Sequence, residues 1–224
     1  MSTVEVHGIT VTLAATDVAV GLVIGRGCTT RPSPEPLTAA INDAIDEAKR
    51  RTGEEEFTQP VRNVLRYGRY KPTGRGKPAS EYLLKAARSD KFPSINNLVD
   101  LNNLVSLRSL LPISLVDLTR ADTDQFTVRR GREGEAYVFN SADQTIGLTD
   151  LLLVARGPND EPCANPVKDS MATKLDAKAT EVMAVLYGPP LMSALLEVAV
   201  AQFAQGLTDW GGADSVQSAL LRPD

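Results

Sequence analysis

Three groups of polar side chains in this sequence are spaced for chemistry. Between Pro93 and Leu118 the apolar residues keep a helical period, while Asn96, Asp100 and Asn103 recur at intervals of four and three. A helix puts Leu98, Leu101, Leu104 and Val105 on one side and those polar groups on the other, with Ser106 near their edge. Ser94 is placed to cap it. A solvated face usually carries Glu, Lys and Arg, the better helix formers. The stripe therefore reads as one wall of a site, with an unusual solvated face as the alternative. The second group is the irregular run from Cys163 to Lys174, between two apolar strand-like segments, and such loops commonly carry sites. The third is cationic: from Val61 to Phe92 nine basic residues face only Glu81 and Asp90. Within it Arg66, Arg69, Lys71, Arg75 and Lys77 are interleaved with glycine, proline, Tyr67 and Tyr70. Guanidinium and ammonium groups suit phosphates and the rings suit bases, so RNA is the natural partner. The plain alternative is a flexible surface loop.

Other chemistries are excluded by what is missing. His7 is the one histidine, which rules out a His-centred metal site and a Ser-His-Asp triad. Cys28 and Cys163 lack metal-ligand spacing and are too few for a disulfide framework, so no metal or cofactor is expected. Two unpaired thiols read as cytosolic. Met1 to Val6 has no basic region followed by an apolar core, and no apolar run approaches the roughly 20 residues of a membrane helix. Neither a signal peptide nor a membrane partner is expected. The net charge of −4 argues against indiscriminate nucleic-acid binding, and DNA is not expected. With 224 residues, 42% of them hydrophobic and 23% charged, the chain fits one domain over residues 1–224.

Those groups need a frame. Residues 4–13 and 17–25 are rich in Val, Ile and Thr and read as two strands, with His7 inside the first. Ser33-Pro34-Glu35-Pro36 opens a helix to about Arg51, buried through Leu37, Ile41, Ala44, Ile45 and Ala48. A second helix spans about Gln59 to Tyr67, and Ser80 caps a third through Ala87. The central polar helix runs from Ser94 to Leu111. Residues 126–130 and 135–139 read as a hairpin, 151–155 and 180–187 as buried strands, and Leu191 to Leu207 as an apolar helix. The last dozen residues read as loosely held. Strands and helices in this order imply an α+β (mixed α/β) fold, with mixed β-sheets covered by helices.

At this point a family can be recognised. The run Ser94-Ile95-Asn96-Asn97-Leu98-Val99-Asp100-Leu101-Asn102-Asn103-Leu104-Val105, followed by Leu111-Pro112-Ile113-Ser114-Leu115-Val116-Asp117, resembles the signature of the B3/4 domain. This is the tRNA-editing part of the phenylalanyl-tRNA synthetase beta subunit, which also exists as freestanding proteins. Tyr70-Lys71-Pro72, Ser80-Glu81-Tyr82-Leu83-Leu84 and the segment from Lys168-Asp169-Ser170 to Thr173-Lys174 resemble the freestanding form. The likeness covers about 62–187. It implies a three-layer fold and hydrolysis of the ester between a wrong amino acid and the tRNA 3′ end. In the synthetase that amino acid is tyrosine on phenylalanine tRNA; a freestanding relative acts on canavanine carried by arginine tRNA. Two positions depart from the tyrosine pattern. Ser114 stands where the family has His, and Lys174 stands at the Glu position. Both family residues help to recognise the tyrosine hydroxyl, and a buried phenol without partners is poorly bound.

The resemblance therefore implies a trans-acting deacylase, with canavanyl-tRNA(Arg) the first choice of substrate and tyrosine on tRNA(Phe) another. No strong general base is visible. Catalysis is expected from a preorganised site in which Asp100, Asn103, Ser114 and Lys174 serve the reacting water and oxyanion. Asn96, Asn97, Asp117, Lys168, Asp169, Ser170 and Thr173 are expected to bind the aminoacyl group. A carboxylate such as Asp117 or Asp169 would hold its ammonium or a guanidine-like side chain. Two other functions fit the same residues: a non-catalytic tRNA-binding module, and a small-molecule ester or amide hydrolase.

Overall fold

The computed structural model describes residues 1–223. In chain order it runs β1 (Ser2–Val6), β2 (Ile9–Leu13), β3 (Ala19–Arg26), α1 (Glu35–Arg50), α2 (Glu55–Leu65), α3 (Ala79–Arg88) and α4 (Asn97–Ser109). Then come β4 (Ile113–Asp117), α5 (Leu118–Ala121), β5 (Gln125–Arg130), β6 (Ala136–Val138), β7 (Thr145–Gly147), β8 (Leu152–Arg156) and β9 (Glu161–Ala164). The chain closes with β10 (Glu181–Gly188), α6 (Ser193–Asp209) and β11 (Ser215–Leu221).

The most apolar strands lie innermost. β3 and β10 are buried along nearly their whole length and pair antiparallel at the centre of a four-stranded sheet, ordered β11-β3-β10-β4. A strand buried on both faces needs a continuous apolar run rather than an alternating one, and Val-Met-Ala-Val-Leu in β10 supplies it. One face of this sheet packs on α6 and α4. The other shares a core with a five-stranded mixed sheet, ordered β1-β2-β5-β8-β9, in which only β2 and β5 run parallel. Helices, sheet and sheet make three layers, the mixed α+β arrangement expected. A small β6–β7 ribbon stands apart from both sheets.

Several boundaries differ from the sequence reading, each for a physical reason. The first expected strand is a hairpin, broken where His7 (φ 52°) and Gly8 (φ 75°) turn left-handed. The sole histidine thus sits in a turn. The segments 126–130 and 135–139 are not hairpin partners: β5 lies between β2 and β8, while β6 pairs with β7. α2 starts earlier than Gln59 and admits Pro60 inside it. Ser80 does not cap α3; the cap position is Pro78, and the Ser80 hydroxyl is buried without a partner. The tail is not loose, because β11 pairs with β3 over seven positions.

α6 also corrects the expectation that no apolar run approaches membrane length. Pro190–Asp209 is long and apolar enough by length and composition. It nevertheless lays Leu196, Ala199, Val200, Phe203 and Leu207 against protein, and a Cβ at Gly206 would collide with the Leu101 side chain of α4. That close approach requires glycine. α4 is in turn buried on nearly every side, against α1 and α3 as well as α6. Its polar residues therefore point into the protein, and the solvated-face alternative is excluded.

Candidate functional site

Four asparagines and an aspartate in a buried helix must all find partners, and the partners separate their roles. Asn96, not Ser94, is the N-cap: its side chain accepts from Val99 N at 3.0 Å. Asn97, fully buried, accepts from Arg31 N (2.9 Å) and donates to Thr29 O (2.9 Å) and Trp210 O (2.8 Å). Asp100 accepts from the Ser33 hydroxyl (2.7 Å), the Ile95 N–H (2.8 Å) and the Ser94 hydroxyl (3.3 Å). Asn97 and Asp100 thus bind the 29–33 loop, the 94–95 segment and the end of α6 to the helix, and neither opens to a cavity. Asn102 and Asn103 do.

These two asparagines stand between adjoining hollows. One, of about 290 Å³, is bounded by Ile95, Asn96 and Val99 at the start of α4, Ile113 and Leu115 of β4, and Asn165, Lys168, Asp169 and Lys174 of the strand-connecting loop. The other, of about 430 Å³, is bounded by Arg75, Tyr82, Leu83 and Ser106. Ala79, Asn102, Asn103, Ile113, Val167 and Lys168 border both. A third hollow of about 760 Å³, lined by Tyr70, Arg75, Phe139, Ile146 and Lys168, continues from there. Lys168 borders all three. Its ammonium lies 3.9 Å above the Phe139 ring, a cation–π contact that steadies a long side chain.

The loop holding Lys168 and Asp169 is shaped by Asn165. Its side-chain oxygen accepts from Val167 N and Lys168 N, both at 2.8 Å, an Asx turn ahead of which Pro166 follows naturally. Its amide nitrogen donates to the Tyr137 hydroxyl, which donates to Lys168 O at 2.7 Å. Lys174 reaches back to Phe139 O at 3.2 Å. The β6–β7 ribbon is therefore fastened over the loop by Tyr137 and Phe139. The Asp169 carboxylate accepts from Leu115 N (3.1 Å) and Asn165 N (3.2 Å). Burial pushes its pKa up to about 6, against the opposing help of the Ser114 hydroxyl, the two N–H groups and the Lys174 charge.

Of the expected site residues, Asn96, Asn103, Lys168, Asp169 and Lys174 meet at the cavity. Ser114 is fully buried behind it, accepting from the Tyr187 hydroxyl (2.9 Å) and donating to Asn165 O (3.1 Å). Asp117 is buried and caps α5, accepting from Arg120 N at 3.1 Å. Ser170 and Thr173 are buried turn-formers, bonded to Ala172 N (3.1 Å) and Cys163 O (2.8 Å). Asn97, Asp100, Ser114, Asp117, Ser170 and Thr173 are thus separated from the cavity because each already serves the scaffold. Asn102, Asn165 and Ala79 border it without having been singled out. The Asn165-Pro166 pair is a turn signal that marks the first of these; nothing in the periodicity marks Ala79.

The cationic segment also divides. Among the described residues Arg66, Lys71 and Arg75 are exposed and have no ion-pair partner. Arg69 pairs with Glu133 (3.2 Å) and Asp150 (3.8 Å), and Lys77 lies 3.9 Å from Glu81, which Arg62 also grips. Tyr70 is not free for stacking through its hydroxyl edge, which donates to Gly76 O at 2.7 Å and shapes the loop. Tyr67 is exposed, and the Arg130 guanidinium lies 4.7 Å from its ring centre.

The site is a cavity between α4, β4 and the 165–174 loop of an α+β protein, and it adjoins hollows that Arg75 and Lys168 border. The chain belongs to the B3/4 domain family, whose model matches residues 67–191. That domain is found in the phenylalanyl-tRNA synthetase beta subunit and in related tRNA-binding or editing proteins. The matched span contains α4 and every side chain named above as bordering the 290 Å³ cavity. No curated protein matches the chain.

Proposed function

We propose that this protein hydrolyses, in trans, the ester that joins a wrong amino acid to the 3′ end of a tRNA. The observation that carries this reading is the position of Lys168, which borders the amino-acid-sized cavity, the hollow beside it and the groove leading to Arg75. A substrate with a small acyl part, a nucleoside and a polyanionic lead needs such a continuous path. The acyl group would occupy the cavity with Asp169 and Lys174, the terminal nucleoside the hollow with Tyr82 and Leu83, and the preceding phosphates the side of Arg75, Lys71 and Arg66. The chain acts as one domain, with no cofactor, and its two free buried thiols favour a cytoplasmic setting.

Canavanine on arginine tRNA is the substrate best supported. Ser114 is occupied by Tyr187 and Asn165 and is in no position to meet a phenol. The buried Asn102 Oδ1 has no partner, and an acceptor of that kind suits a side chain rich in N–H donors. Tyrosine on phenylalanine tRNA is the next candidate.

Dependence on tRNA has its own test. Changing Arg66, Lys71 and Arg75 together to alanine is expected to weaken binding of the charged tRNA. The slope of log affinity against log salt should become shallower by about 2, since each lost phosphate contact to a single strand releases fewer counterions. Hydrolysis of the free amino-acid ethyl ester should not change. An unaltered salt slope would count against tRNA as the substrate and favour a small-molecule hydrolase.

A further inference from the structure

The one histidine, His7, lies in the β1–β2 turn and borders none of the three hollows, and the structure removes two of the three candidate carboxylates. Asp100 is engaged by Ser33, Ser94 and the Ile95 amide, and Asp117 caps α5. Among the described residues Asp169 is the carboxylate that borders the 290 Å³ cavity. Resting on the deacylase reading above, we propose that Asp169 is the general base that takes a proton from the attacking water.

Its setting is that of a fixed base rather than of a surface charge. The N–H groups of Leu115 and Asn165 each hold one carboxylate oxygen, and with the Ser114 hydroxyl as a third partner the carboxylate keeps one acceptor site for a water. Behind it the Tyr187 hydroxyl donates to Ser114, which holds Ser114 as a brace under the carboxylate. The titratable groups that face it are known from every side: Lys174 on its own loop, with Lys168 adjacent in sequence, Cys163 on β9, Tyr137 on β6 and Tyr187 on β10. Burial, with the Asp169 charge next, drives both tyrosines well above their ordinary range, and burial raises Cys163 likewise. All three stay neutral, and Asp169 is the group that changes charge near neutrality. A base poised there combines proton affinity with ionisation.

In the step, the water oxygen bonds to the ester carbonyl carbon as Asp169 accepts one water proton. The negative charge on the carbonyl oxygen falls among the amides and ammonium groups of the cavity wall. The carbon–oxygen bond to the ribose then breaks, and the ribose oxygen takes the proton from Asp169. One water and one ester give a free amino acid and an uncharged tRNA, with the carboxylate restored.

The test uses the full chain in saturating excess over canavanyl-tRNA(Arg), with tyrosyl-tRNA(Phe) in parallel. For the wild type, log rate should rise by one per pH unit below about 6 and level off above it, because only the ionised carboxylate is active. Asp169→Asn should lower the saturated rate about 10²-fold or more, abolish that pH dependence and leave KM within a few-fold. Asp169→Glu should recover part of the rate and the pH dependence. A wild type without the rise through pH 6 overturns the proposal, whether or not the variants fold. A variant with raised KM and normal saturated rate also overturns it, and makes Asp169 a receptor for the substrate's cation. Hydrolysis of neither tRNA by the wild type overturns the deacylase reading itself, and the base with it.

Discussion

Asp100→Ala is expected to cost the fold about 3 kcal/mol, the upper part of the range for a single substitution. The carboxylate is 1% exposed and is the shared acceptor for two hydroxyls and one backbone N–H. Removing it takes the acceptor from the Ile95 N–H and from the Ser33 and Ser94 hydroxyls, and unties the 33 and 94–95 segments from α4. Each lost bond to a charged group is worth roughly 1.5–3 kcal/mol, and partial relaxation keeps the total below their sum. The midpoint of urea unfolding should fall at unchanged slope, while Asp100→Asn, which keeps one acceptor, should cost less. The rate per folded molecule should drop only as far as Ile95 and Asn96 shift at the cavity edge. A normal midpoint together with a lost rate would instead make Asp100 part of the reacting site.

The second large effect is expected at Ala79. It opens α3, ties to the loop through Ala79 N to Pro166 O at 2.9 Å, and borders both the 290 Å³ cavity and the neighbouring hollow. A phenylalanine there has no core to disturb, since the residue is only partly buried, but its ring would fill the junction. Hydrolysis of charged tRNA, which must thread that junction, should fall about 10²-fold, the scale of loss when a substrate is held out of position. The melting temperature should hold. A free amino-acid ester, which needs the cavity alone, should be affected less. Equal loss on both substrates would mean that the hollows are not used as one path.

How far these roles could be read in the sequence depends on the element. The helical period placed Asn96, Asp100 and Asn103 on one side of α4, and all three do face inward. A wheel has two sides, however, while α4 meets protein on nearly all of its surface. Whether an inward residue meets a cavity or a loop depends on Ser33 and Thr29, 67 and 68 residues away along the chain. That is why Asp100 and Asn97 were legible as buried and not as scaffold. β4 poses the same problem, because with every residue buried, alternation cannot say whether Ser114 faces a ligand. The apolar runs of β3, β8 and β10 were legible because burial on both faces leaves no polar gaps. β11 was not, since an edge strand with Gln217 and Ser218 exposed looks like tail. The misassigned hairpin has a similar origin: neighbours in sequence usually pair, but β5 found β2 through a parallel, long-range register. Asp169 could be read as a polar loop residue, while the two amides that hold it and its place at the cavity come only from the fold.

One measurement bears on the central claim most directly. Arginine tRNA charged with canavanine, the same tRNA charged with arginine, and phenylalanine tRNA charged with tyrosine are each incubated with the full chain, and loss of the ester is followed against the spontaneous rate. The account predicts rapid loss of one mischarged ester, canavanyl-tRNA(Arg) first, with correctly charged arginine tRNA left intact. Salt-dependent binding of all three without acceleration of any would contradict it, and would make the cleft a tRNA-binding surface without turnover.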